Sequence, residues 1–176
     1  VVTASMYDIS SMHRDGFGKT VTPEQRKTTL KILAEQRWID FASWSVQVPA
    51  GFPTQPAPVL PELMNPVMSE FFEYYAMKRG FHPNAQGAFT TTSPIAFMNF
   101  SLMTYISTNT TPKLLIMWGN AHSRYYTEEA YEKAAEPKEL YIVPGARHID
   151  LYDGGINWEN YIPFDKIETF FKTNLK

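Results

Sequence analysis

The fold is decided by residues 114–153, LLIMWGNAHSRYYTEEAYEKAAEPKELYIVPGARHIDLYD. Residues 114–118 and 140–143 are short apolar runs of the kind that form buried strands. The segment between them contains TEEAYEKAAEP, which predicts a short helix that ends at Pro137. Two parallel strands need a crossover connection, and that crossover is right-handed, so this order of elements indicates a parallel α/β sheet.

Further elements are predicted on both sides of this region. Residues 1–5 are apolar and β-branched, which suits another buried strand, and residues 162–176 have the pattern of an amphipathic helix. Thr22 is a predicted N-cap, with Pro23 at the first helical position and Gln25 completing a capping box. A long helix is therefore expected to begin there.

The middle of the chain is rich in proline and in aromatic residues. Six prolines between residues 48 and 66 exclude a regular element through that segment. Residues 68–80 are predicted to be helical with Gly80 as the stop, and a further apolar segment covers residues 93–106. We interpret one aromatic run as packing of the core or of a lid rather than as a cofactor site: Phe71, Phe72, Tyr74 and Tyr75.

The composition excludes several classes of function. With 176 residues the chain fits one domain or a large part of one, and the charged fraction of 19% is low enough to suggest that part of the surface is normally covered. A net charge of -2 with interspersed signs provides no electrostatic footprint for nucleic acid or for an anionic membrane, so neither is an expected partner. The absence of cysteine excludes disulfides, thiolate metal sites and a cysteine nucleophile. No histidine pair has the spacing of a zinc protease, and we expect no metal.

Polar side chains follow each of the three predicted strands. Asp8 follows the first strand, Asn120 and His122 follow the second, and His148 follows the third. Loops at the carboxyl ends of parallel strands converge, so these four residues are candidates for one rim. A histidine at such a rim suits general-base catalysis. Structural interpretations stay open, since Asp8 could cap a helix or turn and His122 and Ser123 could bond only within their own loop.

Two motifs of this region carry a resemblance to a known family. Residues 145–153 match the pattern G-A-x-H-x-D-L-Y-D, and residues 120–125 read N-A-H-S-R-Y. On these motifs the chain resembles α/β-hydrolases of the dienelactone-hydrolase-like group. The resemblance implies the carboxyl-terminal half of an α/β-hydrolase fold, a mostly parallel sheet with helices on both faces. It also implies a helical cap insertion at about residues 11–106 and the last strand-helix units, with the triad loops, at residues 107–176.

The resemblance also implies a catalytic role for His148. In that family the corresponding histidine accepts the proton of a serine nucleophile and later donates it to the leaving group. The serine lies on a G-x-S-x-G elbow, and no such pattern occurs in this sequence. We therefore expect the chain to be part of a serine hydrolase, a carboxylesterase or dienelactone-hydrolase-like enzyme when complete. Its serine would lie outside this chain, on the amino-terminal half of the same fold.

The acid of the triad is the point at which this sequence departs from the family. Gly119 stands where the family has glutamate, and glycine cannot orient an imidazole. Asp8 is the preferred acid, because some hydrolases of this fold take it from the preceding strand. Asp150 follows His148 too closely to orient it. Asn120 and His122 are the expected substrate-binding residues.

A different class of function is left as an alternative. A catalytically inactive, hydrolase-derived binding or scaffold domain would explain the loss of the glutamate, whereas retention of the His148 loop favours the enzyme. The expected substrate is a small-molecule ester or related acyl compound with an apolar acyl or aryl group. Acyl transfer of this kind needs no cofactor. We expect the cytoplasm rather than secretion, and association into a homo-oligomer stays open.

Overall fold

The structure, a computed structural model, describes residues 1–119, 121–156 and 160–175. Strands and helices alternate in its second half, whereas the first half combines one short strand and several helices with a long proline-rich segment that has no regular structure. The elements occur in this order: β1 (Val2–Ala4), α1 (Ile9–Asp15), a 3₁₀ turn (Phe17–Lys19), α2 (Pro23–Ser43), α3 (Pro66–Tyr75), α4 (Ser93–Asn99), β2 (Lys113–Trp118), α5 (Arg124–Lys133), β3 (Lys138–Val143), α6 (Asp150–Asp153) and α7 (Phe164–Asn174).

The three strands form one parallel sheet in the order β1-β2-β3. In its register, Leu115 of the central strand lies opposite Thr3 on one side and Leu140 on the other. The predicted parallel α/β architecture is therefore confirmed, with the helix α5 as the connection between β2 and β3. The carboxyl ends of all three strands lie at the same edge of the sheet.

The chain divides into two compact units, and the first contains the sheet. This unit is formed by Val1–Asp8 and Ser101–Lys176. Its core is centred on β2, where Leu114, Ile116 and Met117 are fully buried, and Phe170 of α7 belongs to the same apolar cluster. Burial of side chains on successive residues is expected for a central parallel strand that is covered on both faces.

The second unit, Ile9–Phe100, is built around the long helix α2. The capping box at its start is confirmed, since the Thr22 hydroxyl accepts from the Gln25 amide at 3.2 Å and the Gln25 side chain accepts from the Thr22 amide at 2.8 Å. Arg26 joins this helix to α1 through the Asp15 carboxylate at 3.2 Å. Burial acts to raise the pKa of Asp15, but hydrogen bonds from Arg14 and Ser11 outweigh it and lower that pKa overall.

The aromatic run of α3 packs within the second unit, as predicted. Phe52 stacks against Tyr75 with ring centroids 5.7 Å apart and meets Phe72 edge-on at 6.2 Å. Tyr74 and Tyr75 contact each other at 5.1 Å. These rings form an aromatic cluster between α3 and the proline-rich segment that precedes it.

The predicted end of α3 at Gly80 is wrong, because the helix already ends at Tyr75. In a continuing helix the Ala76 carbonyl would accept from the Gly80 amide. That carbonyl instead accepts from the Ala57 amide at 2.7 Å, and the Gly80 amide donates to Tyr74. A hydrogen bond from the proline-rich segment thus ends the helix. The helix α5 also differs from prediction, beginning three residues earlier, at Arg124.

The second unit overlaps almost entirely with the segment predicted as a cap insertion, residues 11–106. Its boundaries fall at Ile9 and Phe100. The assignment of this unit as a cap stays a prediction, as does the assignment of residues 107–176 to the last strand-helix units of a longer domain.

Two neighbouring phenylalanines of α7 test the importance of the core beneath β2. Phe170 is 4% exposed, whereas Phe171 is 37% exposed. We expect Phe170→Ala to lower the free energy of unfolding by about 3–5 kcal/mol, because it removes a buried ring and leaves a cavity. Phe171→Ala is the matched control and should cost much less. Equal losses in urea denaturation of the two variants would contradict this placement of the core.

Candidate active site

His148 lies on the loop that follows β3. The loop begins with Pro144 and Gly145, and Gly145 adopts a φ of 73°, a left-handed conformation that favours glycine. The Asp150 carboxylate accepts from the Arg147 amide at 2.8 Å, so it braces this turn. These local contacts place His148 in the interior, where its side chain is 1% exposed.

Both ring nitrogens of His148 have hydrogen-bond partners. Nδ1 lies 2.8 Å from the hydroxyl of Ser123, and Nε2 lies 2.9 Å from the hydroxyl of Tyr152. The backbone carbonyl of His148 accepts from the Ser5 hydroxyl at 3.1 Å. The imidazole is thus held from both sides, and its backbone is joined to the end of β1.

Tyr7 lies at the centre of a cluster of rings at this edge of the sheet. Its ring centroid is 5.1 Å from that of His148, 5.1 Å from that of Tyr126 and 5.7 Å from that of His122. Its hydroxyl also forms a hydrogen bond with Nε2 of His122. The two histidine rings are 5.5 Å apart. Loops after all three strands therefore contribute to one group of side chains, and two of the predicted rim residues, His122 and His148, belong to it.

The electrostatic influence of Asp8 reaches this cluster through Tyr126. Burial raises the pKa of the Tyr126 hydroxyl, the hydrogen bond with Tyr125 raises it further, and the charges of Tyr7 and Asp8 act in the same direction. Asp8 directly precedes α1. Its predicted role as the acid that orients His148 stays a prediction.

The structure describes the positions of His122 and Gly119 but not that of Asn120. His122 joins His148 in the ring cluster, whereas Asn120 lies outside the described residues. The amide of Gly119 donates to the Val143 carbonyl at 2.8 Å. A Cβ at Gly119 would lie 3.4 Å from that oxygen, an ordinary contact, so packing at this point does not itself require glycine.

The sequence-based interpretation missed three of the hydroxyl groups of the site. The sequence left open that Ser123 bonds only within its own loop, and the structure excludes this, since its hydroxyl contacts His148 on another loop. Tyr152 follows His148 by four residues, a spacing that brings side chains together at the start of a helix. Ser5 shows no such signal, because its contact with His148 spans 143 residues.

The second unit contains two adjoining apolar cavities. One, of about 290 Å³, is lined by His13, Phe89 and Phe97 among others, and the other, of about 300 Å³, by Phe72 and two methionines. Both are also lined by Ala50 and Gly87. His13 stacks on Phe97, and burial lowers the pKa of the His13 imidazole.

Neither a membrane-spanning helix nor a grouped set of metal ligands is found among the residues that the structure describes. None of the helices in that part of the chain combines the length and apolarity needed to cross a membrane. Among the same residues, no three or more histidine, aspartate or glutamate side chains are grouped so as to hold a metal ion.

Comparisons of sequence place the chain near two bacterial proteins. It is 44% identical to uncharacterized protein PA2218 of Pseudomonas aeruginosa over 99% of this chain and 46% of that protein. It is 26% identical to uncharacterized protein YcjY of Escherichia coli over 86% of this chain and 49% of that protein. No family model matches the chain. The chain thus spans about half the length of these relatives.

Comparisons of structure define the fold. The crystal structure of PA2218 matches with a TM-score of 0.86 and 41% identity, over 99% of this chain and 53% of the other. The α/β hydrolase GrgF of Penicillium sp. sh18 matches with a TM-score of 0.56 and 16% identity, over 89% and 52% of the two chains. DcsB, solved with its substrate analogue, matches with a TM-score of 0.60 and 14% identity, over 88% and 52%. The chain has an α/β fold of the hydrolase type.

Tyr7 provides a test of how the ring cluster is held together. Tyr7→Ala removes three ring contacts, each worth about 0.5–1.5 kcal/mol, and we expect a loss of about 2 kcal/mol in unfolding free energy. Tyr7→Phe keeps the ring and loses only the hydroxyl bonded to His122. It should therefore retain most of the stability while changing the NMR signals of His122 more than those of His148. A phenylalanine variant as unstable as the alanine variant would argue against the ring contacts.

Proposed function

We propose that this chain is part of a serine hydrolase of the dienelactone-hydrolase-like group that cleaves ester or related acyl bonds. The observation that carries the proposal is the buried imidazole of His148. It lies at the carboxyl edge of a parallel sheet of hydrolase type, with both nitrogens hydrogen-bonded. A buried, oriented imidazole at that edge is what general-base catalysis requires.

In the proposed mechanism His148 first accepts a proton and then donates the same proton. Nε2 accepts the proton of the serine hydroxyl as the serine oxygen attacks the ester carbonyl, and His148 then donates that proton to the departing alcohol. Water releases the acyl group from serine by the same steps. The Tyr152 hydroxyl now bonded to Nε2 occupies the side from which the serine would donate, so turnover requires an exchange of partner there.

The nucleophilic serine is proposed to belong to a segment outside this sequence. The sequence contains no G-x-S-x-G elbow, and its relatives are about twice as long as the matched region. The amino-terminal half of the same fold would then supply both the serine and the oxyanion hole.

Three further roles complete the proposed site. Asp8 is the acid that stabilises the imidazolium, and its charge already acts on Tyr126 in the ring cluster. His122 and Asn120 contact the substrate. His122 is suited to this because it reaches the cluster through Tyr7, between the loops of two strands.

The proposed substrate is a small ester with an apolar acyl or aryl group. The aromatic and methionine content of the segment predicted as a cap supports this, because such side chains form adaptable apolar pockets. No cofactor takes part in the proposed chemistry.

The alternative function is an inactive, hydrolase-derived binding or scaffold domain. The absence of a carboxylate at Gly119 and the tyrosine hydroxyl on Nε2 of His148 favour it. A serine-directed phosphonate distinguishes the two proposals. Labelling of a serine in the full-length protein supports the enzyme, and absence of labelling in a folded full-length protein supports the scaffold.

His148→Ala tests the general base directly. In the full-length protein we expect ester turnover to fall by about three orders of magnitude or more, because the triad acts as a unit. His82→Ala is the matched control, since His82 is exposed in the second unit and should be dispensable. Hydrolysis of a p-nitrophenyl ester is the measurement. Turnover of the His148 variant within tenfold of wild type would remove this residue from the mechanism.

Asp8→Asn tests the proposed role of Asp8 as the acid of the triad. The amide keeps the shape of the side chain and removes the charge proposed to stabilise the imidazolium, so turnover should fall by about 10²–10³-fold, the usual cost of losing one such electrostatic contact. Asp165→Asn, at an exposed position of α7, serves as the control. If turnover survives in the Asp8 variant but is lost on changing Asp150 or Glu128, the assignment is wrong.

A further inference from the structure

We infer that Ser123 is a positioning residue for His148 and performs the orienting task that a carboxylate performs in an ordinary triad. This inference rests on the proposed function, in which His148 is the general base. An acid in a triad has two tasks: it fixes the orientation and tautomer of the imidazole, and it stabilises the positive charge that forms. The structure assigns the first task to the hydroxyl of Ser123.

The first support is the geometry of the contact. The hydroxyl oxygen of Ser123 lies 2.8 Å from Nδ1 of His148, the nitrogen that faces the acid in a triad. Ser123 is 0% exposed and His148 is 1% exposed. Water therefore does not compete for this hydrogen bond, and a bond between buried groups is strong and directional.

The second support is that Ser123 occupies the N-cap position of α5 but its side chain does not cap the helix. At this position serine ordinarily accepts from an amide of the first helical turn. Its backbone angles of -96° and 4° are not those of the usual cap, and its side chain makes no capping hydrogen bond within the described part of the chain. The hydroxyl is directed at His148 instead, so local helix capping does not explain this serine.

The third support is that both contacts of the ring are compatible with the reactive tautomer. If Nδ1 carries the proton, it donates to the Ser123 oxygen, and Nε2 accepts from the Tyr152 hydroxyl. Nε2 then has the lone pair that a general base needs. The opposite tautomer would place the proton on Nε2 and leave His148 unable to accept a proton from a serine. Both hydroxyls can also reverse their roles and satisfy the opposite tautomer, so the tautomer measurement tests whether Ser123 accepts from Nδ1.

A serine hydroxyl can orient an imidazole but cannot neutralise an imidazolium. The second task of the acid consequently remains with a charged group, which in the proposed mechanism is Asp8. Gly119, which has no side chain at the place where the family has glutamate, is consistent with this division. One residue holds the ring, and another supplies the charge.

The tautomer of His148 tests the inference independently of activity. In the full-length protein at a pH where the ring is neutral, ¹⁵N NMR should show the proton on Nδ1. Ser123→Ala should abolish this preference and Ser123→Thr, which keeps the hydroxyl, should retain it. Ser5→Ala is the matched control, because Ser5 bonds the backbone carbonyl of the same histidine and not its ring. A proton on Nε2 in the wild type, or an unchanged tautomer in Ser123→Ala, would overturn the inference.

Kinetics provide the second measurement. Ser123→Ala should lower kcat on the order of 100-fold with little change in KM, because it disturbs the base rather than substrate binding. Ser123→Thr should retain most of the wild-type rate. A kcat of Ser123→Ala within twofold of wild type would contradict the inference. Ser123→Cys, whose thiol is a weak hydrogen-bonding group, replaces the alanine variant if that variant unfolds. If the full-length protein has no esterase activity, the proposed function fails, and the NMR result alone decides the role of Ser123.

Discussion

The pairing of β2 with a parallel strand on each side is the constraint on which the rest of the structure depends. Leu114, Ile116 and Met117 are fully buried on this strand, so it can lie only in the interior of the sheet. Because both neighbours run in the same direction, three loops leave the sheet at one edge. The described residues of the candidate site all follow a strand end, by one residue at Ser5 and by nine at Tyr152.

The site combines two kinds of interaction, the packing of aromatic rings and hydrogen bonds from hydroxyl groups. Ring packing around Tyr7 fixes where the histidines lie, whereas hydroxyl groups on Ser123 and Tyr152 fix how the imidazole of His148 is turned. Packing alone does not distinguish the two orientations of the imidazole that are related by a half-turn of the ring. Hydrogen bonds at both nitrogens select one of these orientations, which is the preorganisation that proton transfer demands.

The sequence was sufficient to predict the elements that are specified locally. The apolar runs of β2 and β3, the capping box at Thr22 and the position of His148 after a Pro-Gly turn all depend on neighbouring residues. The end of α3 could not be predicted, because it depends on a hydrogen bond from Ala57, which is distant in the chain. The same reason applies to Ser123: serine before a helix predicts a cap, and only the folded loop after β3 directs its hydroxyl elsewhere.

The insertion of the second unit between β1 and β2 has a consequence for the folding rate. The amino group of Val1 donates to the carbonyl of Pro112, a contact that spans 111 residues, and β1 adds its pairing with β2 over a similar distance. Closing so long a loop is entropically unfavourable, and chains dominated by such distant contacts fold slowly. Residues 9–100 can lower this barrier by collapsing first, because a compact insert brings its two ends within reach of each other.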